Sequence, residues 1–384
     1  MSARSRVLAI LNKQKPDLVP WFGDLDYWIN ALNAQGLMPE KYQGPGMFQL
    51  HRDLGVGFYL QGYWPFQPVY DGVQVEQEIG TDVADGYIRL IRDVRITRVK
   101  MPVGELLQVE KYLPGSYCWA YQEHYIKDWR DLKAIRYWYE HTFYQPDYGL
   151  AEARYELIGD NGVDEYIHEL VLCYLPRSPL MEMIAVLGGI QAVTYAMTDA
   201  PDEFVETIAV MEQKSDEAAE IALNSPAECL MIPENLSSEV VGKRRFNQYM
   251  RDYEERWNRK IKAAGKYSFV HMDGRLKGLI REVASTGFSV LEALTPAPAG
   301  DLAIEEIQSW VGKDTVVWGG IPGFHFSDMV SDQEFDRFVI HVLEVMRSQP
   351  RYVLGVADQV PPGTRWERIR RVGQLVEQYG RYDR

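Results

Sequence analysis

From about residue 165 onward, short and continuously apolar runs alternate with helical patterns. The runs are LVLCYLP (170–176), CLMIPE (229–234), SFVHMDG (268–274), SVLEA (289–293), TVVWGGI (315–321) and YVLGVAD (352–358). Between them, Phe204, Ile208 and Met211 share one helical face. So do Leu276, Leu279, Ile280 and Val283, and likewise Ile304, Ile307 and Val311,. Gly287 and Gly312 stand where helix C-caps belong,. Nearer the start, Val7, Ile10 and Leu11 predict a helix that Pro16 ends, and strand-like runs follow at 18–23 and 56–63,. Strands that are apolar throughout and alternate with helices predict a parallel sheet covered on both sides. The eight strands, 18–23, 56–63, 170–176, 229–233, 268–273, 289–293, 315–321 and 352–358, predict an α/β fold, a (β/α)8 TIM barrel,. An open doubly wound sheet would satisfy the same count.

Residues from about 70 to 150 follow another rule. VYDGVQVEQEIG, DGYIRLIRDV and LLQVEKYLP alternate apolar and polar positions between turn residues, which predicts antiparallel hairpins,. The segment reads as a β-hairpin insertion near the N-terminal third of a single domain spanning 1–384.

Composition narrows the partners. Lys+Arg 41 against Asp+Glu 55 gives 41 − 55 = −14, which argues against nucleic acid and against an anionic membrane surface,. The three cysteines, Cys118, Cys173 and Cys229, build no disulfide framework and suit a reducing cytoplasm,. No apolar run of about 18 residues stands out as a membrane span, and the opening MSARSRVLAILNKQKPD does not read as a secretory signal,.

The C-terminal ends of the apolar runs carry the chemistry, as barrel active sites do. They present Asp24 and Asp26, Arg177, Glu234 and Asn235, His271 and Asp273, Glu292, and Asp358. Residues i and i+2 of a strand point the same way, so His271 and Asp273 project together. With Glu292 and Asp358 they offer one imidazole and three carboxylates to a divalent metal such as zinc. A polar network around His271 without metal explains the same residues. Arg177 could clamp a substrate carboxylate or close a salt bridge with Glu234. Glu234 is the candidate for proton transfer or substrate binding, and His271 and Asp273 are the further candidate catalytic residues. Asp24 and Asn235 are candidates for substrate contact. Trp21, Phe22, Tyr27, Trp28, Tyr59, Tyr63 and Trp64 cluster near two strand ends, either as core or as an apolar wall built from Trp21, Phe22 and Tyr27,. His124 and His325 read as surface or loop residues.

The chain resembles the uroporphyrinogen decarboxylase superfamily, which includes cobalamin-linked methyltransferases and is similar to cobalamin-independent methionine synthase. The resemblance rests on RVLAILNKQKPDLVPWF, on SPLMEMIAVLGGIQAV followed by APDEFVETI, on FVHMDGRLKGLI, on LTPAPAGD and on VLGVADQVPPGTRWERIRRV. It implies a TIM barrel. The decarboxylases carry an N-terminal arginine-rich signature, where this chain has Val19-Pro20-Trp21-Phe22-Gly23-Asp24-Leu25-Asp26. They also carry a C-terminal histidine, where this chain reads Gly355-Val356-Ala357-Asp358. The methyltransferase branch binds zinc through His-x-Cys and a later Cys. The matching positions are His271, Asp273 and Asp358, with Glu292 at a spacing like that of methionine synthase. The resemblance therefore implies a methyltransferase whose metal ligands are harder, suited to an oxygen substrate such as a methyl ether. Its methyl acceptor would be a corrinoid reached only through a partner protein, and a homodimer is implied weakly. The rivals are a decarboxylase of the uroporphyrinogen type and a non-catalytic binding protein on the same barrel.

Overall fold

The computed structural model describes residues 1–43, 46–59, 63–80, 83–84, 87–88, 93–158 and 169–382. The chain divides into two compact units. One comprises Met1–Trp64, Tyr148–Tyr174 and Ser225–Arg384; the other comprises Pro65–Asp147 and Leu175–Asn224.

The first unit is built on a seven-stranded parallel sheet. Its strands run in the order Trp21–Phe22, Tyr352–Ala357, Val316–Pro322, Val290–Leu294, Tyr267–Met272, Cys229–Leu236 and Leu172–Tyr174. Phe22 also bridges Gly57 in parallel, and Phe58–Tyr59 pairs in parallel with Glu169–Leu170. Each of the eight expected segments thus carries strand. Val316–Pro322 and Tyr352–Ala357 are buried at every position, which explains their lack of apolar–polar alternation,.

One face of these strands forms a shared core. Phe22, Leu172, Cys229, Met231, Phe269, Val290, Val316, Trp318 and Val353 belong to a single buried cluster. Phe22 and Leu172 come from strands at opposite edges of the sheet, so the sheet curls around this core. The helix Ala3–Leu11 packs Ala3, Val7 and Ile10 into the same cluster. Its N-cap is Ser2, whose hydroxyl accepts the Ser5 N–H at 3.1 Å,. Trp318 meets the rings of Phe22 and Phe269 edge-on at 5.2 and 5.7 Å,. Gly57 is required beside this core, because a Cβ there would fall 2.6 Å from the Phe22 ring. Gly312 caps the helix Ile304–Val311 with φ of 86°,.

The second unit contains an antiparallel sheet of Gln74–Gly80, Val94–Met101, Gly104–Leu113 and Cys118–Glu123, in that order. Phe66–Tyr70 pairs antiparallel with Thr142–Pro146. The alternation at 74–80, 94–101, 104–113 and 118–123 is thus expressed as antiparallel strands, while most of DGYIRLIRDV lies outside the described residues. The helix Pro201–Leu223 buries Phe204, Ile208 and Met211.

Two expectations need correction. The helical run Pro179–Asp199 is long and apolar enough to cross a membrane, with mean hydropathy 1.5 over its best window. It is interrupted by a π-helical turn at Met183–Gly188 and by Gly189 at φ of 69°. Within the unit, the Leu187 carbonyl accepts the Ile126 N–H at 2.8 Å. His325 is also not a surface residue: it is buried and stacks on Phe338 at 3.9 Å.

Truncating Trp318 to alanine removes the ring on which Phe22 and Phe269 pack. The expected cost is about 3–5 kcal/mol, read from denaturant unfolding, with an unchanged slope if the fold is retained.

A carboxylate cluster around His271

The strand period that makes the core also makes the site. Phe269 lies in the core, so His271 and Asp273 follow it on the same face; Val290 is followed likewise by Glu292, and Phe22 by Asp24,. The lower part of that face is apolar and its C-terminal rim is acidic. Asp358 arrives differently. Its φ of 74° is left-handed, as are those of Asn235 (53°) and Ala293 (63°) near the ends of two other strands of the sheet. For non-glycine residues such conformations cost on the order of 1–3 kcal/mol each and concentrate at functional sites.

His271 sits at the centre, buried. Its Nδ1 lies 2.5 Å from Glu292 Oε2, and Glu292 is fully buried. Its Nε2 faces Asp273 at 3.3 Å and Asp358 at 3.6 Å. One ligand atom from each of His271, Asp273 and Asp358 can be chosen so that all lie within 4.8 Å of one another. Three of the four expected metal ligands therefore converge. Glu292 occupies the opposite ring nitrogen, where it orients the imidazole.

Charge governs this cluster. Burial works against the charged form of His271, but the Glu292 and Asp273 carboxylates outweigh it and raise its pKa well above the usual value,. Burial pushes Asp273 up, yet its hydrogen bond to His271 and the imidazolium charge leave it below the ordinary carboxylate range. Asp358 is pushed up to about 6, first by burial and then by Asp273 and Glu292, against the pull of His271.

Asp24 joins the same field. Its carboxyl is raised well above the usual value by burial, and by the charges of Asp26, Asp358 and Glu292. Asp24 Oδ1 accepts the Asp26 N–H at 2.9 Å; Oδ2 is buried without a hydrogen-bond partner among the described residues. The Asp24 carbonyl accepts the Val360 N–H at 2.9 Å, and Gln359 Oε1 accepts the Tyr27 N–H at 3.1 Å. The loop after the first strand is thereby laced to the loop carrying Asp358.

Other candidates fall elsewhere. Phe22 belongs to the buried core. Trp28 packs on Trp366 at 4.6 Å, and its indole N–H donates to the Thr364 carbonyl. Trp64 packs edge-on against Tyr174. The side chain of Tyr59 lies outside the described residues. Asn235 is exposed. Arg177 belongs to the second unit, where Nη1 lies 3.5 Å from Glu182. Trp21 projects from the face opposite Phe22 and lines a cavity near the beginning of its strand,.

Glu234 is fully buried, in a stretch where the strand's register shifts between Ile232 and Leu236,. Its charge acts on Glu254 of the helix Arg251–Ala263. Glu254 is the residue that reading the sequence missed. It stands at the spacing of Trp257 and Ile261 and is buried with them, within a helix whose composition is otherwise strongly polar,.

Burial and the Glu234 charge hold the Glu254 carboxyl well above its ordinary value. An acid raised on folding binds its proton more tightly in the native state, so stability falls as pH rises above its unfolded value. Glu254→Gln should therefore raise the melting temperature at pH 8, change it little at pH 4, and flatten the profile between.

Residues 176–379, 379 − 176 + 1 = 204 of 384 and thus about half of the chain, match the family model for uroporphyrinogen decarboxylase (URO-D). No curated protein matches the chain. Among solved structures, a methyltransferase from Methanosarcina mazei superposes with a TM-score of 0.59 at 12% identity, covering 99% of each chain. That likeness is one of fold. The family match, which spans half of the chain, leads to one conclusion: the chain belongs to the uroporphyrinogen decarboxylase family.

Proposed function

We propose that this chain is a methyltransferase of the family, taking a methyl group from a small oxygen-bearing substrate and delivering it to a corrinoid on a separate protein. The observation that carries the reading is the convergence of His271 Nε2, Asp273 and Asp358, with Glu292 behind the imidazole. Three carboxylates crowded around one imidazole suit a cation; Asp358, raised to about 6 first by burial and then by Asp273 and Glu292, would be drawn back to its charged form by one,. His271, Asp273 and Asp358 would hold a divalent metal such as zinc, with a coordination position left open. Glu292 would fix the ring with Nε2 outward. Once bound, such a metal would supply Lewis-acid polarisation of a substrate oxygen.

Methyl transfer from an ether leaves the electron pair of the broken C–O bond on the oxygen, which must then be protonated. Asp24 is the chain's own candidate for that proton. It is buried, holds its proton well above the ordinary carboxylate range, and lies within the field of Asp358 and Glu292,. Its unpartnered Oδ2 leaves hydrogen-bonding capacity unused. The eight strand segments support a barrel closed through the Phe22–Gly57 bridge and the pairing of Phe58–Tyr59 with Glu169–Leu170. Uroporphyrinogen decarboxylation fits less well. Asp26, Asp273, Glu292 and Asp358 would repel a substrate bearing many carboxylates.

Two measurements test this reading. Purified protein should contain about one zinc or other divalent ion per chain after exposure to the metal. His271→Ala should lose it, and Asp358→Asn should bind at least tenfold more weakly. With metal, a corrinoid protein and a panel of methoxylated compounds, a demethylated product should form. Asp24→Asn should slow its formation about 10²–10⁴-fold if Asp24 supplies the proton. Absence of metal after loading would remove the mechanism, and carbon dioxide release from a tetrapyrrole carboxylate would replace it with decarboxylation.

A further inference from the structure

Asp358 faces His271 Nε2 from a left-handed backbone, with φ of 74°. Aspartate tolerates that conformation better than most residues but does not prefer it. Such a conformation persists only where the surrounding structure over-determines it. The residues that follow Asp358 supply that hold.

Three hydrogen bonds fasten residues 359–364 to the segment after the first strand. The Val360 N–H donates to the Asp24 carbonyl at 2.9 Å, and the Trp28 indole N–H donates to the Thr364 carbonyl at 2.8 Å. The Tyr27 N–H donates to Gln359 Oε1 at 3.1 Å. Of the three, only this last uses a side chain of the loop, and it belongs to the residue next to Asp358. The bond is also a helix cap. The helix Asp26–Ala34 follows Leu25, whose side chain makes no cap hydrogen bond, and the N–H groups of a first turn need acceptors from outside the helix,. Gln359 brings one from 332 residues away in sequence. Gly323 closes in on the same residue from another side: a Cβ there would lie 3.0 Å from the Gln359 carbonyl oxygen. Val360 is buried, and Pro361 after it confines its backbone to extended conformations,. Gln359 is thus fixed by its side chain, its carbonyl and the residue that follows, which leaves Asp358 little freedom to relax.

We infer that Gln359 is a positioning residue: by capping the helix Asp26–Ala34 it holds Asp358 left-handed, with its carboxylate turned to His271 Nε2, and ties it to the loop that carries Asp24. The consequence for metal affinity rests on the reading of the site given above; the hold on Asp358 does not.

Gln359→Leu keeps most of the side chain's size and loses the acceptor; Gln359→Glu keeps an acceptor oxygen. Crystal structures of the metal-free proteins should show Asp358 left-handed and facing Nε2 in the parent and in Gln359→Glu, and turned away in Gln359→Leu. Zinc affinity, measured by competition with a chelator, should fall about tenfold in Gln359→Leu and recover in Gln359→Glu. In an Asp358→Asn background, Gln359→Leu should cost no further affinity, an outcome that general loosening of the fold does not give. Gly323→Ala presses on the Gln359 carbonyl from the other side and should weaken zinc in the same direction, which keeps the test open if Gln359→Leu fails to fold. An unmoved Asp358 in Gln359→Leu, the same loss of zinc in the Asp358→Asn background, or a Gln359→Glu as weak as Gln359→Leu would overturn the inference. A parent protein that takes up no zinc defeats the methyltransferase reading instead, and the crystal structures still decide whether Gln359 holds Asp358.

Discussion

The two-residue period of the parallel strands is the constraint on which the rest of this protein depends. It sends Phe22, Met231, Phe269, Val290 and Trp318 into one core. Two residues further along three of those strands, the same period delivers Asp24, His271 and Glu292 to the same face,. Core and site are thus one surface read from bottom to top. The apolar part supplies the burial that holds the strands together. The acidic part is a concentration of charge that the apolar part must be stable enough to carry.

That charge is organised rather than merely collected. Glu292 is fully buried and takes one nitrogen of His271, which leaves the other nitrogen directed at Asp273 and Asp358. The imidazole holds Asp273 low while Asp358 remains high, so neighbouring carboxylates differ in proton affinity. Carboxylates with separated affinities can divide labour between binding a cation and moving a proton. The left-handed backbone at Asn235, Ala293 and Asp358 shows that three strand ends bear conformational cost at this rim,.

Parity also explains where sequence reading succeeded and where it failed. His271 and Asp273 were legible because a two-residue spacing in a strand has one meaning. Glu234 ends an apolar run as the others do, and its charge acts on the buried Glu254, a neighbour that no local spacing announces. Phe22 was ambiguous for the opposite reason: an aromatic residue near a strand end serves a pocket or a core equally well in sequence, and here it packs on Trp318. Trp21, its neighbour, faces the other way and lines the cavity.

By itself, the sequence determined the α/β class, the eight strand segments, the antiparallel character of residues 70–150 and the acidity of the strand ends. These follow from local periodicity and residue type, which the chain carries whatever its partners in space. Tertiary structure alone decided that Glu292 takes Nδ1 of His271, that Asp358 turns to face Nε2, and that Glu254 is buried beside Glu234. Each depends on which strands and helices become neighbours, and on a backbone turn at Asp358 that no periodicity encodes.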